Sequence, residues 1–284
     1  MHSSAHSDSE LKELFLLKRQ EFWKDPASAG DLEAYARQDD THDYTVLEGF
    51  IPPTLIGRET PGGQSHWRKS DTFFTGFAKN YPDQVLSESE DSFIIGNAAS
   101  HDTRQYLAKW DRDSKDRTSS AGMSYVHLLA IPKKRVYNAV SLEDPAIIEE
   151  MIAHFWQFWE SPESRSKISW WLKEAVERRA ASVMDTLKSQ TSTNEFQSVM
   201  KDVLVSTEKF ARRLRELRAS KDDRSFVFGF HPAPEASIGH LHMHIVLAAA
   251  EFREFSTRVH DWKTIPAKTV VEVISEEARR CDPD

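Results

Sequence analysis

The sequence predicts an α+β fold, an antiparallel sheet with packed helices enlarged by an all-helical insertion, and three observations predict it. Ser124–Ile131 is a near-continuous apolar run of strand length closed by Pro132-Lys133-Lys134, which suits a strand covered on both faces or at the centre of a sheet. Residues 240–247 alternate histidine with apolar side chains, the period of a strand. Between Pro145 and Asp223, apolar and aromatic residues recur at helical spacing behind capping signals.

Taken in order, Ser7-Asp8-Ser9-Glu10 has capping-box spacing, and Leu11, Leu14, Phe15 and Phe22 follow near a 3.6 period. This predicts a first amphipathic helix that stops at Asp25-Pro26, with a shorter one over Asp31–Gln38. Residues 41–90 are rich in turn signals such as Pro52-Pro53 and Pro61-Gly62-Gly63, between short runs such as Tyr44–Leu47 and Thr72–Phe77. They read as an irregular extension wrapped on the main domain. Strands are expected at Ser92–Gly96 and Arg104–Trp110, with a charged loop at Asp111–Ser120. In the helical block, Asp144-Pro145 suits a helix start, and Ile148, Ile152, Phe155, Trp156 and Trp159 mark a buried stripe. Ser161-Pro162 opens a second helix carrying Trp170, Trp171, Leu172 and Val176. The capping box Ser192–Glu195 opens a third, whose basic end (Arg212, Arg213, Arg215, Arg218, Lys221) is either a solvated helix terminus or a phosphate contact.

The chain of 284 residues is 39% hydrophobic and 29% charged, with eight Trp. That is too apolar for a disordered chain and too polar for a membrane protein. Its single cysteine, Cys281, excludes an intrachain disulfide and any multi-cysteine zinc site, and fits a reducing compartment. The net charge of −8 argues against a generic grip on nucleic acid. Residues 1–90 carry −7 of it and residues 91–284 only −1. The expected division is therefore an acidic N-terminal extension over 1–90 and a main domain over 91–284 with its helical insertion at about 145–223. No apolar stretch of membrane-spanning length and no signal-peptide pattern is seen, so a cytoplasmic or nuclear location and no membrane partner are expected.

The informative residues are His240, His242 and His244. On a strand they project from one face about 6.5–7 Å apart. Three titratable rings pack a core poorly where leucine or valine would serve, so the triplet points to chemistry. Two readings follow from the residues alone. Neutral imidazoles bind a metal such as zinc, or one imidazole attacks a phosphorus centre while its neighbours orient it and hold phosphate oxygens. The nearest acids are Glu235 and Glu251, outside the triplet.

His240-Leu241-His242-Met243-His244-Ile245-Val246 resembles the His-φ-His-φ-His-φ-φ signature (φ apolar) of the histidine triad (HIT) superfamily of nucleotide hydrolases and transferases. Val126–Arg135 is similar to the strand that in many of its members reads His-φ-φ-φ-Ile-Pro-Lys-Lys-His. The resemblance covers roughly residues 91–140 and 225–250. It implies a HIT-like antiparallel sheet and an enzyme that acts without metal or cofactor on phosphoanhydride, phosphoramidate or cap-like bonds of a nucleotide or nucleotide conjugate. It further implies that His242 attacks the α-phosphate to form a nucleotidyl-histidine and that His240 orients or proton-couples His242. His244 would contact phosphate oxygens, and His127 would be the fourth active-site histidine. A homodimer is implied as well.

The chain departs from the family pattern in its spacing, with 108 positions from Pro132 to His240, about twice what a minimal HIT domain uses, and in the segment before the triad. The Gly-Gln-Ser/Thr upstream of many triads is replaced by Glu235-Ala236-Ser237, which leaves Ser237 as a candidate substrate-binding donor and Ala236 where glutamine is usual. Gly229–Pro234 resembles the loop of the aprataxin-like and scavenger-decapping-like branches, with His231 as a candidate pocket residue, although the zinc finger of the former is excluded by the lone cysteine. Two alternatives stay open: a HIT scaffold diverged to small-molecule tailoring chemistry, with the histidines as acid/base or metal site, and a non-catalytic nucleotide-binding or interaction protein. Whether nucleic acid is a partner is open too.

Overall fold

A computed structural model describes residues 7–39, 74–97, 126–174, scattered helical positions between 194 and 216, 226–249 apart from Pro234 and Ser237, Arg253, and 257–281. The runs expected at Tyr44–Leu47, Arg104–Trp110 and Asp111–Ser120 lie outside the described residues.

The architecture is α+β. Six strands form one antiparallel sheet: β1 (Val85–Glu88), β2 (Ser92–Gly96), β3 (His127–Pro132), β4 (Phe226–Phe230), β5 (Met243–Leu247) and β6 (Ile265–Pro266). Their order across the sheet is β1-β2-β3-β5-β4-β6. The two strands bearing the histidine motifs, β3 and β5, are therefore adjacent at its centre. All six residues of β3 and all five of β5 are buried, as a central strand covered on both faces requires.

Helix α1 (Asp8–Lys24) begins at Ser7 with the expected capping box. Helix α2 (Pro26–Ala36) starts five residues earlier than expected, because Asp25 caps it through Ala27 N and Pro26 occupies its first turn. The proline that ends α1 thus also opens α2. A short helix α3 (Phe77–Asn80) precedes β1. Helix α4 (Ala146–Glu160) buries Ile148, Phe155 and Trp159 as expected, and also Met151, His154 and Phe158, while Ile152 and Trp156 of the expected stripe are only half-buried. Residues 164–174 form α5, and the described positions between 194 and 216 are all helical. Helix α6 (Ala267–Cys281) closes the chain. No helix among the described residues is long and apolar enough to cross a membrane.

The two faces of the sheet differ in chemistry. One carries Leu128, Ala130, Met243, Ile245 and Phe226 into the main core against α1, α4 and α6. Phe226 meets Phe155 and Trp159 of α4 with ring centroids 4.8 and 4.7 Å apart. The other face bears a small apolar cluster of Phe74, Phe77, Phe93, Ile95, Leu129 and Ile131, and beside it the histidines. Helix α1 is tied down by Arg19, which is 6% exposed. Its guanidinium donates to the carbonyls of Val140 and Leu142 and pairs with Glu277 of α6.

On β2, Gly96 lies under the indole of Trp171, where a Cβ would sit 1.9 Å from Cε2. Gly96→Ala is therefore expected to destabilise the fold by about 1–3 kcal/mol through overpacking, read as a lower midpoint in urea or thermal unfolding. An unchanged midpoint would show that α5 does not press on the sheet.

Candidate active site

Strand alternation places the histidines together. In the antiparallel register, His244 of β5 stands opposite Leu129 of β3 and Gly229 of β4, and His127 stands opposite Val246. His127 and His244 are thus diagonal neighbours on one face, with Nε2 of His127 2.8 Å from Nδ1 of His244. His231, just beyond β4, brings its ring to 4.1 Å from that of His244, while that of His242 lies 4.9 Å from it. His244 is the hub of the cluster. The expected row of three side chains is modified, because β5 begins only at Met243 and His240 pairs instead in a single bridge with Tyr137.

The hydrogen bonds fix the tautomers. Nδ1 of His242 lies 2.8 Å from the carbonyl oxygen of His240. A carbonyl only accepts, so the His242 proton sits on Nδ1 and Nε2 keeps its lone pair. The amide of Asn97 donates to Nδ1 of His127 at 3.4 Å. His127 then donates from Nε2 to His244, which leaves the His244 proton on its own Nε2. Thr264 donates its hydroxyl proton to the carbonyl of His260, so it accepts from Nε2 of His231.

His240 is held apart from this chain. Its ring is 1% exposed, donates from Nε2 to the carbonyl of Pro132, and accepts at Nδ1 from the Tyr35 hydroxyl at 2.7 Å. Contact with the His242 ring comes from the backbone carbonyl of residue 240 rather than from its imidazole. Tyr35 is in turn clamped by Arg135, whose guanidinium lies 4.1 Å from the tyrosine ring centroid and donates to the Tyr35 carbonyl. Asn138, at φ 37°, accepts from the amide of Ala233 and donates to the carbonyl of His231, which holds the loop after β4. Tyr35 and Asn138 support the site without any local sign in the sequence, and Arg135 does so from the end of the Val126–Arg135 segment.

The C-terminal segment adds groups that the motifs do not announce. Gly229 lets Thr264 approach, since a Cβ there would lie 2.6 Å from Cγ2 of Thr264. This seats the 3-10 helix Thr257–Lys263 against the histidines. His127, His231, His244, His260, Arg253 and Thr257 are among the residues lining a cavity of about 20 Å³. Lys263 is 6% exposed, with Nζ 3.4 Å from the Glu235 carbonyl. The Glu235 carboxylate is buried against Lys18 of α1 at 2.5 Å. Nε2 of His244 and Nε2 of His260 are buried without a hydrogen-bond partner, and leaving such a group unpaired costs about 1–3 kcal/mol. Ala236 is buried at the position where a glutamine is usual, and Ser237 lies outside the described residues.

Burial keeps these rings neutral. It lowers His242 and His240 to about 4, and for His242 the Lys263 charge adds to the effect. Burial likewise lowers His127 to about 3 and His260 to about 4, and holds His231 and His244 well below the ordinary histidine value. Burial also brings Lys263 down to about 8, still a cation at neutral pH. Among the described residues, no three His, Cys, Asp or Glu side chains are grouped so as to hold a metal ion. The arrangement offers unprotonated imidazole nitrogens, Nε2 of His242 among them, ring N–H donors, and a buried cation beside them.

Compared with protein-family models, curated proteins and solved structures, the chain gives no match.

These shifts predict an acid limb of stability. A histidine neutral in the fold binds its proton first in the unfolded chain, near pH 6.5. Stability is therefore full above that pH and is lost as pH falls toward the folded-state values near 4. Each such group contributes up to about 1.4 kcal/mol per pH unit over that window. The thermal midpoint should fall steeply between pH 6.5 and 4.5, and a midpoint flat across that range would contradict the buried neutral cluster.

Proposed function

We propose that the chain is a HIT-type nucleotide hydrolase or nucleotidyl transferase. Nε2 of His242 attacks the α-phosphorus of a nucleoside phosphoanhydride, phosphoramidate or cap-like substrate. A P–N bond forms as the bond to the leaving group breaks, and the electron pair departs with that group. Water or an acceptor hydroxyl then attacks the nucleotidyl-histidine, displaces Nε2 with its lone pair restored, and gives up its proton.

One observation carries the reading: His242 donates its only ring proton to the His240 carbonyl, so Nε2 is an unprotonated nucleophile at neutral pH. Supporting it, the His244 Nε2–H is a donor for a non-bridging oxygen, oriented through His127 and Asn97, and Lys263 supplies positive charge where negative charge develops. The apolar cluster around Phe74, whose ring centroid lies 5.3 Å from that of His242, bounds the nucleophile. None of the residues lining the cavity beside the histidines comes from α1 or α2.

The test is incubation with adenosine 5′-phosphoramidate and adenylylated conjugates labelled at the α-phosphate, with and without chelator, in the wild type and in His242→Ala. Label should be trapped on the wild-type protein. Turnover should fall about 10⁴-fold or more in the variant, with no effect of chelator. Loss of wild-type activity on chelation would favour the metal reading, and absence of both label and turnover across these substrates would favour a binding role.

A further inference from the structure

The cavity beside His244 contains more than the triad needs. His244 and His260, whose Nε2 atoms are both orphaned, come from β5 and from the C-terminal 3-10 helix and line the same space. The His244 nitrogen is a fixed N–H donor, because its Nδ1 accepts from His127. The proton of neutral His260 is free to choose a nitrogen, and an acceptor in the cavity would place it on Nε2. A volume of about 20 Å³ holds one water-sized group, so it takes a single oxygen and leaves the rest of a ligand outside.

The sign of the charge identifies that oxygen. Among the described residues Arg253 lines the cavity and no carboxylate does, and the Lys263 ammonium bears on His231, His242, His244 and His260 together. Arg253 is itself anchored by Asp261 and Thr257, which fixes its position. Ring N–H donors with cations beside them suit an oxyanion better than a metal ion. Gly229 is the residue that allows this: any side chain there would lift Thr264, and with it the turn carrying His260, off the sheet.

We propose that His260 is a further substrate-contacting residue, which closes with His244 on one non-bridging oxygen of the phosphoryl group that His242 attacks. The C-terminal segment then supplies the oxyanion contact that the replacement of glutamine by Ala236 removes from the loop before the triad. This assignment rests on the reading of the preceding subsection.

Two measurements test it. Crystals of the wild-type protein soaked in inorganic phosphate should show an oxyanion with one oxygen within hydrogen-bond distance of Nε2 of both His244 and His260. In solution, His260→Ala should weaken inorganic phosphate binding and lower kcat/KM on the adenylylated substrates by about tenfold or more each, the equivalent of about 1.4 kcal/mol. His260→Gln, which keeps an amide donor, should recover part of both. An anion bound away from His260, no anion in the cavity, or unchanged phosphate affinity and turnover in a folded His260→Ala would overturn the assignment. Failure of the underlying reading looks different: phosphate seated on His260 in a wild-type protein that neither traps label nor turns over any nucleotide would leave an oxyanion site without the proposed chemistry.

Discussion

The hydrogen bond from Nδ1 of His242 to the carbonyl of His240 is the constraint on which the site depends. It decides which nitrogen carries the proton and which keeps its lone pair. The bond is only as well placed as residue 240, and that residue is pinned from two directions. Pro132 of β3 accepts from one ring nitrogen and Tyr35 of α2 donates to the other. A ring locked at both nitrogens and 1% exposed has no role left in proton transfer to solvent. Its use is to position a carbonyl. Burial of the surrounding imidazoles does the rest, since neutral rings at physiological pH are both better nucleophiles and cheaper to enclose than charged ones.

The N-terminal helices thus support the site from outside its cavity. Arg19 ties α1 to the turn at Val140 and Leu142, Lys18 neutralises Glu235 beside the histidines, and Tyr35 reaches His240. The acidity of residues 1–90 is partly spent on such contacts: Asp31 accepts from Tyr137, and Glu10 closes the capping box of α1. The sheet itself begins within that segment, at Val85, where β1 pairs with β2.

What was legible in the sequence follows from how local each signal is. The alternation at 240–247 and the apolar run ending at Ile131 marked two buried strands and put His240, His242 and His244 on one face, because strand periodicity is a property of neighbouring residues; that His127 joins them was implied only by the HIT resemblance, and the register of β3 on β5 brings it there. The capping box at Ser7 and the stripe of α4 were legible for the same reason. Tyr35 was not, since an aromatic in a helix reads as core and its partner lies 205 positions away. His260 and Lys263 sit in a 3-10 turn without apolar period, and only Gly229, on another strand, brings them in. Helix α6 is a different case: Ala267, Val270, Val273 and Ile274 form a buried stripe at helical spacing, yet no element was expected there. β1 has only four residues, too few for alternation to stand out from its surroundings.

The central claim is that His242 is a neutral imidazole with its proton on Nδ1. Its most direct measurement is the ¹⁵N NMR spectrum of histidine-labelled protein across pH 7.5 to 4, with His242→Gln to assign the ring. A protonated Nδ1 and an unprotonated Nε2 throughout the neutral range, with a second proton taken up only near pH 4, is the predicted result. A proton on Nε2 at pH 7, or titration near 6.5, would contradict the account.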